Sequence, residues 1–124
     1  MSKVLIIDDE EEIGFFVKKL LEHFGSYSVI VATNGQDGLK AARRERPDLI
    51  LLDISMPRMD GFAVLKALKK DLDTTSIPVI MLTALDTDEA KERAASLYHE
   101  DYIVKPCRAE ELKAKIEDVL SRRA

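Results

Sequence analysis

Short apolar runs recur along the chain, and each is followed by a segment of helical period. The runs are Val4–Ile7, Val29–Ala32, Leu49–Leu52, Val79–Leu82 and Tyr102–Val104. They are rich in Val, Ile and Leu and are apolar almost without interruption, as strands buried on both faces should be. Between them, Ile13, Phe16, Val17, Leu20, Leu21 and Phe24 follow the three-four spacing of one helix face. So do Leu39 with Ala42, Phe62 with Leu65, Leu68 and Leu72, and Leu112 with Ile116, Val119 and Leu120. A fourth predicted helix, about 87–97, carries only Ala and Leu on its apolar side. Turn residues stand at the junctions: Asn34-Gly35 before the second helix, Arg46-Pro47-Asp48 after it, and Asp60-Gly61 before the third. Strict alternation of this kind predicts an α/β fold, a parallel sheet with helices on both faces.

Composition narrows the class. A chain of 124 residues, 46% hydrophobic and undivided by any linker or low-complexity stretch, reads as one domain over residues 1–124. At this length the core needs no disulfide or structural metal. The single cysteine, Cys107, rules out an internal disulfide and fits a reducing compartment. A net charge of −4 with scattered Lys and Arg argues against direct nucleic-acid binding. No apolar run approaches the roughly 20 residues of a membrane span, and the N-terminus lacks a signal segment. The expectation is a soluble cytoplasmic domain.

In open parallel sheets, ligands sit beyond the carboxyl ends of the strands. There the first strand delivers Asp8 and Asp9, the third Asp53, the fourth Thr83 and the fifth Lys105. Three carboxylates so close cannot comfortably all ionise. A hard divalent cation resolves the conflict, and Mg²⁺ takes one or two carboxylates with waters and a phosphate. One carboxylate is then left to face an incoming phosphorus, while Lys105 and the Thr83 hydroxyl hold the equatorial oxygens. Asp53, alone on the central strand, is the candidate nucleophile, and Asp8 and Asp9 are the candidate metal pair. Glu10, Glu11 and Glu12 fit a solvated first helical turn.

The stretch "DISMPRMDG", Asp53 to Gly61, resembles the loop that follows the phosphoacceptor in response-regulator receiver domains. "IIDDE" at 6–10, "MLTA" at 81–84 and "YIVKP" at 102–106 resemble that family's other motifs in order and interval, so the resemblance covers essentially the whole chain. It implies a flavodoxin-like doubly wound sheet of five strands in the order 2-1-3-4-5. It implies that Asp53 takes a phosphoryl group from the phosphohistidine of a histidine kinase or phosphotransfer protein. Mg²⁺, with Mn²⁺ as an alternative, would be held by Asp8, Asp9, Asp53 and the Ser55 backbone carbonyl. Thr83 and Lys105 would contact the phosphoryl oxygens, and the Lys105–Pro106 bond would be cis. Movement of Thr83 would let Tyr102 turn inward, remodelling the surface of helix four, strand five and helix five. That surface would meet a downstream protein target, a missing output domain, or a second copy in a homodimer. The output is a signalling switch rather than an enzyme, with self-phosphorylation and slow autodephosphorylation as its only chemistry.

The sequence departs from the family at Tyr98-His99, where Gly-Ala is usual, which bears on the shape of the signalling face. Leu85, two residues after Thr83, cannot orient a hydrolytic water, which implies slow loss of the phosphoryl group. Two rivals share the fold class. A haloacid-dehalogenase-type phosphatase needs Asp-x-Asp, but here Ser55 stands two after Asp53. A nucleotide or flavin binder needs a Gly-rich phosphate loop, which this sequence lacks. The chain ends at "LSRRA", just past the last helix, as either a stand-alone relay or the receiver of a longer regulator would.

Overall fold

An interior strand of the sheet, β1 (Ser2–Ile7), pairs in parallel on both sides. Residues 1–54, 61–83, 101–104 and 108–123 are described by the structure, a computed structural model, with the backbone alone at residues 83, 101–104 and 123. On one side β1 runs in register with β2 (Tyr27–Ala32), from Ser2 opposite Tyr27 to Ile7 opposite Ala32. On the other it pairs with β3 (Leu49–Asp53), from Val4 opposite Leu49 to Ile7 opposite Leu52. Next comes β4 (Val79–Thr83), and the short β5 (Asp101–Val104) follows it, also in parallel. The strand order is β2-β1-β3-β4-β5. The parallel α/β class expected from the alternation is the one the chain adopts.

Side-chain parity explains why the strands read as continuous apolar runs. Val4 and Ile6 of β1, with Leu49 and Leu51 of β3, pack against Val17 and Leu21 of α1 (Glu11–His23). Leu112, Ile116 and Val119 of the C-terminal helix (Ala109–Arg123) join them. Leu5 and Ile7, with Ile50 and Leu52, face Ala41 and Ala42 of α2 (Gly35–Glu45) and Phe62, Leu65 and Leu68 of α3 (Gly61–Lys70). Both faces are covered, so every position must be apolar. Each such side chain contributes roughly 1.5–3 kcal/mol on burial.

The turns have identifiable chemistry. Asn34 caps α2 by accepting the Asp37 N–H at 2.8 Å, and its own amide donates to the Asp37 carboxylate at 2.9 Å. Arg46 ends that helix in the left-handed region, with φ 47°, before Pro47. Asp48 then ties the α2–β3 turn to β1: its carboxylate accepts the Lys3 N–H, and its own N–H donates to the Lys3 carbonyl, both at 2.8 Å.

Two apolar positions differ from the expected pattern. Phe16, placed by spacing on the buried face of α1, is 66% exposed. The buried stripe of that helix is centred on Gly14, Val17 and Leu21. Gly14 lies so close to the sheet that a Cβ there would stand 2.8 Å from Val31 Cγ1. At about 100° per residue, Phe16 lies roughly 200° round from Gly14 and is turned to solvent. Leu72 is 91% exposed because α3 stops at Lys70, so the helical period no longer decides its direction. The fourth predicted helix lies outside the described residues.

Candidate functional site at the carboxyl ends of the strands

Register brings two of the predicted acids together. Ile7 of β1 and Leu52 of β3 are partners, and one step further along each chain stand Asp8 and Asp53. Backbone ladders hold both steps. The Asp8 N–H donates to the Ala32 carbonyl at 3.0 Å, and the Ile54 N–H to the Leu82 carbonyl at 3.1 Å. Asp8 is 0% and Asp53 1% exposed, the two carboxylates buried among the described residues. Acids are almost never fully buried without compensation, so both carboxylates must be met by partners.

The link from β1 to α1 gathers further carboxylates. Asp8 Oδ1 accepts the Glu10 N–H at 3.0 Å, which bends the chain into the helix and leaves Glu10 as its N-cap. As a result, the carboxylate oxygens of Asp8, Asp9 and Glu10 lie within 4.8 Å of one another. Asp9 is half-buried, and Glu10 is exposed. Glu10 joins this group although the sequence reading assigned it to a solvated turn. The local signal was there: an Asp two residues before a helix start can fold such a turn on itself. Three crowded carboxylate oxygens form a hard donor set, chemically suited to Mg²⁺. Asp8 and Asp9 are the members nearest the sheet.

Past Asp53, α3 begins hard against β3. A Cβ at Gly61 would meet the Asp53 carbonyl oxygen at 2.5 Å. Thr83 ends β4 one residue beyond Leu82, the partner of Asp53, and its own partner is Val104. Tyr102 pairs with Met81 in the same ladder. Ser55, Leu85, Tyr98, His99, Lys105, Pro106 and Cys107 lie outside the described residues. No helix among those described is long and apolar enough to cross a membrane.

Residues 4–117 match the family model of the response regulator receiver domain. The chain belongs to that family. Among curated relatives, this receiver is 42% identical over 121 residues to the "Probable transcriptional regulator ycf27" of Porphyridium aerugineum, covering 98% of this chain and 49% of the relative. It is 38% identical to "Protein PilH" of Pseudomonas aeruginosa, covering 98% of this chain and 99% of that one. The crystal structure of a CheY-like response regulator receiver domain protein from Methanospirillum hungatei JF-1 superposes with a TM-score of 0.90 at 30% identity. That match covers 98% of this chain and 95% of the other. The receiver spans about half the length of the ycf27 relatives.

Proposed function

We propose that this receiver is a phosphorylation-controlled switch whose phosphoacceptor is Asp53. The observation that carries the reading is the pair of buried carboxylates, Asp8 and Asp53, one register step beyond Ile7 and Leu52. Its family membership supports the same reading. In the proposed reaction an Asp53 carboxylate oxygen attacks the phosphorus of a partner kinase's phosphohistidine. A P–O bond forms, the P–N bond breaks, and the imidazole leaves with the electron pair and takes up a proton. Asp8 and Asp9, with Asp53 and the Ser55 carbonyl, would hold Mg²⁺ (Mn²⁺ being the alternative). When bound, the ion would supply the positive charge that brings two anions together. Lys105 and Thr83 would take the equatorial oxygens.

The product is an acyl phosphate, which adds roughly −1.5 to −2 charges at the mouth of the sheet. Thr83 and Tyr102, two register steps apart in the β4–β5 ladder, would carry the change to the surface of β5 and its flanking helices. The reader of that surface would be a downstream protein, an attached output domain or a second copy. Because the outcome is altered binding, we read the protein as a cytoplasmic switch and not as a turnover enzyme.

The deciding experiment is intact mass after incubation with Mg²⁺ and a small phosphodonor. The wild type should gain one phosphate and Asp53→Ala none. A wild type that stays unmodified removes the proposal.

A further inference from the structure

The outer edge of β2 lies one strand away from β1 and apart from Asp53. Strand β2 closes one side of the sheet, and its six residues, YSVIVA, contain no charge and no proline. It pairs with β1 without a bulge. Charge, proline and bulges are the usual guards of a sheet edge, and none is present within this strand. The carbonyls of Ser26 and Ala32 accept from the amides of Ser2 and Asp8. Even-numbered residues of this strand therefore turn their backbone groups to β1, and odd-numbered ones turn theirs outward.

One outward position is guarded from elsewhere. The Val29 N–H donates to a Glu22 carboxylate oxygen of α1 at 3.4 Å. At Val31, the next outward residue, no side chain among the described residues does the same. Val31 opens instead on a groove of about 290 Å³ between β2 and α2, whose apolar wall includes Ile30 and Ala41. Lys40, Arg44 and Asp37 complete its rim. The Asp37 carboxylate is engaged with Asn34. Lys40 is exposed, and Arg44, touching Glu45 through Nε at 3.2 Å, keeps 72% of its side chain in solvent. The charge on offer is positive, on a chain whose net charge is −4.

We infer that the β2 edge binds a short extended segment of a partner protein, carrying alternate acidic residues, as an added strand. Backbone groups of Val31 would pair with the segment. Acids on its α2-facing side would meet Lys40 and Arg44, and Ile30 would pack beneath. A second copy is disfavoured, because a two-fold β2–β2 pairing would turn the Lys40–Arg44 pair of one copy toward that of the other.

The test follows backbone amide NMR shifts of the whole chain during titration with a blocked hexapeptide alternating Val and Glu. The expected result is a shift at Val31 and Thr33 that exceeds that at Val29, unchanged in Asp53→Ala. The double variant Lys40→Glu/Arg44→Glu should bind about tenfold more weakly or worse, the scale of losing a charge-assisted contact. Val31→Pro removes the outward N–H together with the methyls beside Gly14; with its amide spectrum away from β2 unchanged, it should lose the interaction. If Val31 does not shift, or a Val–Lys peptide binds equally well, the inference is overturned. It is overturned too if the edge amides shift with protein concentration alone, which would assign the edge to a second copy.

Discussion

The backbone of Gly61 lies against that of Ile54, so that a Cβ on Gly61 would stand 2.2 Å from the Ile54 Cα. Backbone cannot swing aside as a side-chain tip can. The first residue of α3 is thus clamped onto the peptide that follows Asp53, and Gly61→Ala must displace one of them. In an ordinary helix this change would be favourable by up to about 1 kcal/mol. Here it should cost roughly 1–3 kcal/mol through overpacking, and the phosphorylation proposed at Asp53 should slow. Urea melts and a mass-spectrometric time course read the two effects; a variant more stable than wild type refutes the clamp.

Cation binding at Asp8 and Asp9, as proposed, should register as stability. A ligand present at 100 times its Kd adds about 2.7 kcal/mol. Mg²⁺ should therefore raise the thermal midpoint of the wild type, and Asp9→Asn should blunt the rise. In metal-free buffer the same variant relieves carboxylate crowding and should melt no lower than wild type. Equal Mg²⁺ responses from both proteins would place the ion elsewhere.

Arg46 holds a backbone conformation that a side chain resists. Arg46→Gly should raise stability by roughly 0.5–1 kcal/mol, the left-handed penalty outweighing the added freedom of the unfolded chain. A β-branched residue, as in Arg46→Val, should lower it. Chemical denaturation of the three proteins checks the ordering.

The loop after α3 carries a pH response. The Asp73 N–H donates to Asp71 at 2.9 Å, and the Arg43 guanidinium lies 2.5 Å from its other oxygen. Together they hold the Asp71 carboxyl below its ordinary value of 3.8. A depressed carboxyl contributes stability that is fully present above the unfolded value and lost as pH falls through the folded one. The difference in denaturation midpoint between wild type and Asp71→Asn should be flat from neutral pH down to about pH 5 and shrink at lower pH. A difference that grows with acidity contradicts the assignment.

Under the proposed chemistry, an acid at position 85 gives the hydrolytic water an acceptor that Leu85 lacks. Leu85→Glu should shorten the lifetime of the Asp53 acyl phosphate, read by the decay of the phosphorylated mass. Identical decay in both proteins shows that residue 85 does not limit hydrolysis.

Much of this was legible in the chain because burial on two faces leaves an unmistakable trace. Runs such as Leu49–Leu52 cannot alternate when helices cover both sides, and the acids that end two of the runs, Asp8 and Asp53, fall where the cover ends. Asp8 and Asp53 were therefore readable as strand-end acids. What stayed hidden depends on distances between elements far apart in sequence. The exposure of Phe16 follows from how closely Gly14 approaches Val31, and periodicity carries no such distance. Nor does the "DG" that opens α3 reveal that its glycine touches the peptide beyond Asp53. Glu10 is exposed at the start of α1, as a solvated first turn requires, and its nearness to Asp8 and Asp9 is set by a two-residue turn too local to disturb any pattern.

The sheet divides the interior into two compartments that share only a wall of backbone. Val4 and Ile6 serve one side, Leu5 and Ile7 the other. Changes that repack α1 and the C-terminal helix should be absorbed on their own side, without compensation beneath α2 and α3. Sequence drift can thus proceed at separate rates in the two halves. The rim where the wall ends, at Asp8 and Asp53, has to satisfy both at once.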